Sequence, residues 1–216
     1  MKVIDLSHTI AEDMPVFPGT SQPTLKPALT IAEHGFAETM LHMVSHTGAH
    51  IDAPSHMIEG APGLDDFPVD KFFGLALIID HPPCAGSSIE IKPLQQMSDK
   101  IERAEFVLFH TGHSQKWGTD DYFHSFPILT REAAEFLTSF SLKGLGIDAI
   151  SFDEVNSTES PIHHILLGAG LILVENLTNF RQVQDEYCMF SALPLKYENA
   201  DGSPTRAVAI EIGASI

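Results

Sequence analysis

Four side chains with imidazole or carboxylate groups fall within eleven residues of sequence. They are His46, His50, Asp52 and His56, in the run His-Thr-Gly-Ala-His-Ile-Asp-Ala-Pro-Ser-His. Three imidazoles and one carboxylate make a donor set that divalent zinc, manganese and iron all accept. A lone histidine is usually an ordinary core or surface residue, but four donors at this spacing indicate a metal site.

The spacing of these donors favours an extended chain over a helix. Thr47 and Gly48 are poor helix formers, and in a strand all four donors would share one face because their numbers have the same parity. A fully extended step from His46 to His50 would span roughly 13 Å, which is near the limit for two ligands of one ion. We expect Gly48 to allow a bend that shortens this distance.

The run resembles the signature His-x-Gly-(Thr/Ala)-His-x-Asp-x-Pro-x-His. This pattern belongs to the cyclase family of metal-dependent hydrolases, which includes the bacterial kynurenine formamidases and the isatin hydrolases. Ala49 stands where threonine is commoner in that family, which removes one hydroxyl group near the site. The resemblance extends from Asp5 to Leu177 and therefore covers nearly the whole chain.

Two more candidate ligands lie in the second half of the chain. Glu175 directly follows the apolar run Leu171–Val174, where a buried carboxylate needs a partner. That partner is either a metal ion or a cationic side chain with which Glu175 forms an ion pair. In the family, a histidine twelve residues before such a glutamate helps to hold a second metal, and His163 stands at that position. The resemblance thus implies up to two ions per chain, with Asp52 as their bridge and zinc or alternatively manganese as the metal.

The candidate ligands are more numerous than the four of a closed structural zinc site. They are His46, His50, Asp52, His163 and Glu175. Metal ions with open positions lower the pKa of a water molecule toward ~7 and polarise a carbonyl group. This chemistry predicts hydrolysis of a small amide, with His56, one step beyond the ligands, as general base and acid.

The resemblance narrows the substrate to N-formylkynurenine, which would give kynurenine and formate in tryptophan catabolism. The first alternative is hydrolysis of a cyclic amide such as isatin on the same site. The second is a metal-binding module without turnover, which would not need His56.

The family also carries an aromatic residue, commonly tryptophan, in a Pro-aromatic-Pro-Gly loop that lines the substrate pocket. Phe17 occupies this position in the segment Met14–Gly19, and it is either presented to a substrate or packed over the core.

Composition limits the classes of function. The formal charge of −17 opposes binding to nucleic acid or to an anionic membrane. No apolar run reaches the ~18 residues of a transmembrane helix, and the N-terminus lacks the apolar core of a signal peptide. Cys84 and Cys188 form no Cys-x-x-Cys pattern. We therefore expect a cytoplasmic enzyme with reduced thiols that acts on a small molecule.

The length of 216 residues fits one domain, and the resemblance, which covers nearly the whole chain, implies that this domain over residues 1–216 is of the mixed α/β type with a β-rich core. The apolar runs Leu75–Ile79 and Phe106–Phe109 predict strands that are buried on both faces. Helices are predicted at Arg131–Ser139, with Thr130 as N-cap, and at Pro161–Gly168. The other predicted strands are Val3–Ser7, Leu25–Ala32, Ala37–Ser45, Leu142–Ile150, Leu171–Val174, Met189–Leu195 and Ala207–Ile212.

The resemblance implies that the domain has the swivelling β/β/α fold and that the chain forms a homodimer. Several polar residues near the predicted strand ends have no assigned role at this point. They are His110, His113, His164, Asp148 and Asp153.

Overall fold

One large mixed sheet organises the computed structural model, which describes residues 1–81 and 88–211. The strands are β1 (Lys2–Asp5), β2 (Thr24–Leu29), β3 (Glu38–His42), β4 (His50–Asp52), β5 (Phe73–Asp80), β6 (Ser88–Ile89), β7 (Phe106–His110), β8 (Ile128–Leu129), β9 (Gly144–Ile147), β10 (Ile172–Glu175), β11 (Tyr187–Ser191), β12 (Gly202–Pro204) and β13 (Val208–Glu211). The main sheet has the order β1-β13-β11-β5-β7-β9-β10-β4-β12, while β2 pairs with β3 and β6 with β8. Strands β5, β7, β9 and β10 run parallel, and β4 lies antiparallel to β10.

Five short α-helices occur in the described residues. They are α1 (Ile31–His34), α2 (Ile91–Gln96), α3 (Ser98–Ile101), α4 (Arg131–Leu137) and α5 (Pro161–Gly168), and 3-10 turns lie at Pro54–His56, Leu64–Asp66, Val69–Phe72, His113–Lys116, Asp120–Phe123 and Phe180–Gln182. The hydroxyl of Thr130 accepts a hydrogen bond from the Ala133 amide at 3.2 Å, which confirms the predicted N-cap of α4. Helix α5 has the predicted bounds.

The core lies on both faces of the sheet. Leu77 and Val107 belong to a cluster that includes residues of α2, α4 and α5, whereas their neighbours Ala76 and Phe106 belong to a second cluster on the other face. This alternation is the period of two that a strand imposes. It confirms that β5 and β7 are buried on both faces, and the combination of sheet and covering helices confirms the α/β class.

The predicted strand Leu25–Ala32 was too long. Strand β2 ends at Leu29, and a single helical turn follows as α1. Gly35 closes this turn with φ 82, a left-handed conformation that glycine adopts without steric cost.

Two more predicted strands stop early for local reasons. The strand predicted at Ala37–Ser45 ends at His42, because the chain then enters the bend that leads to the predicted donors His46 and His50. The strand predicted at Met189–Leu195 ends at Ser191, before Pro194, which has no N–H group to donate to a sheet. The remaining predicted strands are present, with ends shifted by up to three residues.

The thiol of Cys188 is buried. Burial raises its pKa to about 12, so the reactive thiolate is absent near neutral pH. Cys84 and Ile212, the last residue of the predicted final strand, lie outside the described residues. Within the residues that the structure describes, no helix combines the length and the apolar character needed to cross a membrane.

Candidate metal centre

Antiparallel pairing of β4 with β10 brings three of the predicted donors together. His50 lies directly opposite Glu175, and Asp52 lies opposite Leu173. Because alternate residues of a strand share a face, the imidazole and the two carboxylates project to the same side. All three residues are buried, with exposed fractions of 4% for His50, 1% for Asp52 and 5% for Glu175. Glu175 ends a strand that runs parallel to its neighbour β9, and the carboxyl ends of parallel strands are a favoured place for ligand sites.

His46 and His56 reach the same place by different local structures. Gly48 has φ 66, which confirms the predicted bend, and Nδ1 of His46 lies 2.7 Å from Oδ1 of Asp52. His56 ends a 3-10 turn that begins at Pro54, and its ring lies against His46 with 4.0 Å between centroids. The expectation that one strand carries all four donors was therefore wrong, since β4 includes only His50 and Asp52.

Helix α5 supplies the fifth predicted donor. His163 is buried, and its Nε2 lies 3.1 Å from Oε1 of Glu175 and 3.7 Å from Oδ2 of Asp52. Nε2 of His50 lies 3.3 Å from Oδ1 of Asp52 and 3.5 Å from Oε2 of Glu175. The five predicted donors thus converge on one centre.

Within the described residues, two groups of side chains, one of which includes His56, are close enough to hold an ion each. One is His50, Asp52 and Glu175, and the other is His46, Asp52 and His56; within each group the donor atoms lie within 4.8 Å of one another. Asp52 is common to both groups, so its carboxylate could be shared by two ions. His56 therefore has the geometry of a ligand as well as that of a proton carrier.

The hydrogen bonds around two imidazoles fit a bound cation. Nδ1 of His50 donates to the Gly48 carbonyl at 2.8 Å, and Nδ1 of His163 donates to Oδ2 of Asp153 at 2.6 Å. Each bond leaves Nε2, which faces the buried carboxylates, free to act as the ligand atom. Metal-binding histidines commonly donate their outer ring nitrogen in this way, so the donor set fits a divalent ion.

Electrostatics in the metal-free chain point the same way. Burial opposes the charge on His46, but hydrogen bonds and Coulomb attraction from Asp52 and Asp201 outweigh it and raise its pKa to about 9. Burial likewise opposes protonation of His163, yet its carboxylate neighbours raise its pKa well above the ordinary value. Burial and the charge of Asp52 raise the pKa of Glu175. Protons thus occupy the centre without metal, and an ion that binds there would displace them.

Three residues of the site were not among the predicted site residues. Asp153 accepts from the Ile162 amide at 3.0 Å and the His163 amide at 2.9 Å, so it caps α5 and fixes the His163 ring. Asn176 donates to the Gly48 carbonyl at 3.0 Å. Asp201, just before β12, accepts from Nε2 of His46 at 3.1 Å.

The other unassigned polar residues lie away from the centre. His110 pairs with Asp80 at 2.6 Å, and His113 is held by the Tyr122 carbonyl at 2.9 Å. His164 is exposed on α5. Asp148 is fully buried and accepts from the Thr111 amide and hydroxyl and from the Gly112 amide, which organises the loop after β7.

A cavity of about 330 Å³ opens over the centre. Apolar side chains form part of its walls, including Phe17, Val44, Met57 and Ile150. Phe17 is 37% exposed, so its ring is presented to the cavity rather than packed away in the core. Among the lining residues that the structure describes, none is a lysine or an arginine.

Comparison with known proteins gives consistent matches along the chain. The profile of the family described as "Putative cyclase" matches residues 4–154. A kynurenine formamidase from Bacillus cytotoxicus is 32% identical over 209 residues, which covers 95% of each chain. Isatin hydrolase A from Labrenzia aggregata, bound to benzyl benzoate, has a TM-score of 0.87 at 27% identity and covers 96% of this chain and 93% of that one.

A further solved structure, described as a potential metal-dependent hydrolase with cyclase activity, has a TM-score of 0.79 at 31% identity over 96% of both chains. The family profile includes the run from His46 to His56, the sequence feature that first indicated a metal site. Fold, signature and full-length similarity therefore agree, and the chain belongs to the cyclase family.

Proposed function

We propose that this chain is a metal-dependent amidohydrolase that cleaves N-formylkynurenine to kynurenine and formate. The convergence of two buried carboxylates and three imidazoles beneath a cavity with apolar walls carries the proposal. The similarity to kynurenine formamidases over 95% of the chain supports the substrate. Zinc is the proposed metal and manganese the alternative, because the donor types suit both.

Asp52 and Glu175 have the central binding roles in this proposal. These residues are 1% and 5% exposed, and two uncompensated carboxylate charges at such burial would be costly. A divalent ion held by these carboxylates would supply an acidified water molecule and would polarise the amide carbonyl. His46, His50 and His163 complete the proposed ligand set, in which Asp52 would be the residue shared by two ions.

His56 is proposed to move the proton during hydrolysis. Burial lowers its pKa to about 4, which outweighs the attraction of Asp52, so its ring is neutral at pH 7 and can accept a proton. Its side chain is 29% exposed, and the residue lines the cavity. A group that takes a proton from water and returns it to the leaving amine needs this access.

Phe17 is the proposed wall for the aryl ring of the substrate. We expect Phe17→Ala to raise KM for N-formylkynurenine by roughly 2–12-fold, because ring stacking contributes about 0.5–1.5 kcal/mol beyond area burial. Metal content should stay unchanged and kcat should change less, the pattern of lost uniform binding. Steady-state kinetics and elemental analysis test this expectation.

Phe73→Ala is the matched control for this substitution. Phe73 is 41% exposed, close to the exposure of Phe17, and it does not line the cavity. If the KM of Phe17→Ala equals that of Phe73→Ala, Phe17 does not contact the substrate.

Hydrolysis of a cyclic amide such as isatin is the second candidate function. The cavity wall lacks a lysine or arginine side chain among the described residues, so it offers neither of these to the α-carboxylate of N-formylkynurenine. Neutral isatin needs no such partner. The structural similarity to isatin hydrolase A at a TM-score of 0.87 also favours this alternative.

A direct comparison of substrates separates the two functions. We would measure kcat/KM for N-formylkynurenine, isatin and an aliphatic formamide, with zinc or manganese supplied. The formamidase proposal requires N-formylkynurenine to be the best of the three. If kcat/KM for isatin exceeds that for N-formylkynurenine by more than about tenfold, or ~1.4 kcal/mol, the formamidase proposal is wrong and the cyclic-amide function takes its place.

We also propose that the chain forms a homodimer through the hairpin arm, defined here as residues 24–42. Strand β3 is exposed along its whole length, and an isolated two-stranded hairpin has little stability in water. The arm carries exposed apolar side chains at Ile31, Phe36, Met40 and Leu41. A second copy that covers these side chains would stabilise both arms.

Light scattering coupled to gel filtration tests the homodimer. The double variant Met40→Glu, Leu41→Glu should shift the molar mass toward that of one chain of 23.6 kDa. Val69→Glu, at a residue that is 72% exposed outside the arm, should leave the mass unchanged. A mass of one chain for the unmodified protein would refute the homodimer.

A further inference from the structure

Asp201 lies beside the metal centre, although it is far away in sequence. Its backbone carbonyl accepts from the Ala53 amide at 2.9 Å, one residue beyond Asp52, so the segment before β12 is tied to the end of β4. Its carboxylate reaches back to the bend that carries His46.

The contacts of the Asp201 carboxylate fix its orientation. Oδ2 accepts from Nε2 of His46 at 3.1 Å and from the Ser45 hydroxyl at 3.2 Å. The Tyr197 hydroxyl oxygen lies 3.3 Å from Oδ1. Nδ1 of His56 lies 4.0 Å from Oδ2, outside hydrogen-bond distance, so His46 is the imidazole that Asp201 holds.

Gly202 adds a second constraint on the same ring. A Cβ atom at this position would lie 2.5 Å from Cε1 and 2.7 Å from Nε2 of His46. Any larger residue would therefore displace the imidazole. The chain at residues 201–202 thus packs against the ring and also provides its hydrogen-bond acceptor.

We propose that Asp201 is the positioning residue for His46, a role that rests on the proposed metal-dependent function. A carboxylate that accepts from Nε2 holds the proton there and leaves the Nδ1 lone pair directed at the space beside Oδ1 of Asp52, 2.7 Å away. The Gly48 carbonyl and Asp153 hold the other two imidazoles by the same principle. All three imidazoles of the proposed ligand set would then be oriented by an outer oxygen atom.

Zinc affinity of the chelator-stripped full chain tests this role. Competition with a chromogenic chelator would be measured for the wild type, Asp201→Ala and Asp201→Asn. We expect Asp201→Ala to lower the affinity for the zinc ion held by His46 by about 10–100-fold, which is the range observed when the hydrogen-bond partner of a metal ligand is removed. The number of ions bound at saturation should not change. Asp201→Asn should weaken it less, because the amide oxygen still accepts from Nε2.

Asp65→Asn is the matched control. Asp65 accepts from the amides of Asn199 at 3.1 Å and Ala200 at 3.0 Å, so it holds the same loop without touching His46. We expect its zinc affinity to equal that of the wild type. Equal loss in Asp65→Asn and Asp201→Ala would mean that loop structure alone matters, which overturns the positioning role.

A spectroscopic measurement separates the remaining outcomes. In ¹⁵N NMR of the zinc-loaded protein, His46 should show one tautomer with its proton on Nε2, and Asp201→Ala should lose that signature. Wild-type affinity in Asp201→Ala would refute the role, and loss of one whole ion at saturation would make Asp201 a ligand instead. If the wild type hydrolyses its substrate and binds zinc, and the Asp201 variants have the same zinc affinity as the wild type, only this inference fails. If the wild type binds no metal, the proposed function fails with it.

Discussion

Asp52→Ala is expected to lose most of the bound metal. Asp52 is 1% exposed, and its two oxygens face the imidazoles of His46, His50 and His163. In the part of the chain that the structure describes, both donor groups that could hold an ion include this carboxylate. Its removal therefore takes a ligand from each proposed ion at once, whereas loss of any single imidazole would affect one of them.

Elemental analysis of the purified protein measures this effect. The wild type should carry about one to two equivalents of a divalent ion per chain, and Asp52→Ala a small fraction of that. Asp148→Asn is the matched control, because Asp148 is equally buried but holds the loop after β7 and does not line the cavity. Full metal occupancy in Asp52→Ala would rule out the bridging role.

His56→Ala is expected to keep its metal and to lose turnover. If His56 carries the proton, kcat should fall by about 10²–10⁴-fold. The lowered pKa of about 4 means that the wild-type ring stays neutral until the pH falls toward that value. The acid limb of the pH profile above about pH 5 should therefore come from groups other than His56, and His56→Ala should lower the rate across the neutral range.

The competing role of His56 gives a distinct result. His56 belongs to one of the two donor groups, so a ligand at this position would lose metal in parallel with activity. Such a parallel loss would contradict the assignment of His56 as proton carrier. His164→Ala is the control, because His164 is exposed on the neighbouring helix and does not line the cavity.

Local sequence signals were enough to find the donors that lie close together in the chain. The run from His46 to His56 shows its chemistry in its spacing, and the position of Glu175 after an apolar strand indicates a buried charge that needs a partner. His163 required the family resemblance, because a histidine in a helix has no distinctive local signal. The continuous apolar runs of β5 and β7 likewise predicted the centre of the sheet.

The residues that orient the donors could not be predicted in this way. Asp201 lies 155 positions from His46, and only the pairing of β12 with β4 brings them together. Asn176 reaches the Gly48 carbonyl across 128 positions. Polar residues next to a strand or in a loop are common, so their sequence context does not distinguish an orienting partner from a solvated side chain.

The prediction that one strand carries all four donors from His46 to His56 was wrong for a related reason. Side-chain parity assumes a continuous strand, but β4 ends after Asp52 and a 3-10 turn begins at Pro54. His46 enters the site from the bend before Gly48, and His56 enters from that turn. Convergence of the donors depends on these two changes of direction more than on a shared strand face.

Removal and restoration of the metal tests the central claim most directly. The protein would be stripped with a chelator, and kcat/KM for N-formylkynurenine would be measured before and after addition of zinc or manganese, with metal content determined in the same samples. We expect the stripped protein to be inactive and the rate to return as the centre at Asp52 fills. Hydrolysis by the metal-free protein at the rate of the restored protein would contradict the metal-dependent mechanism.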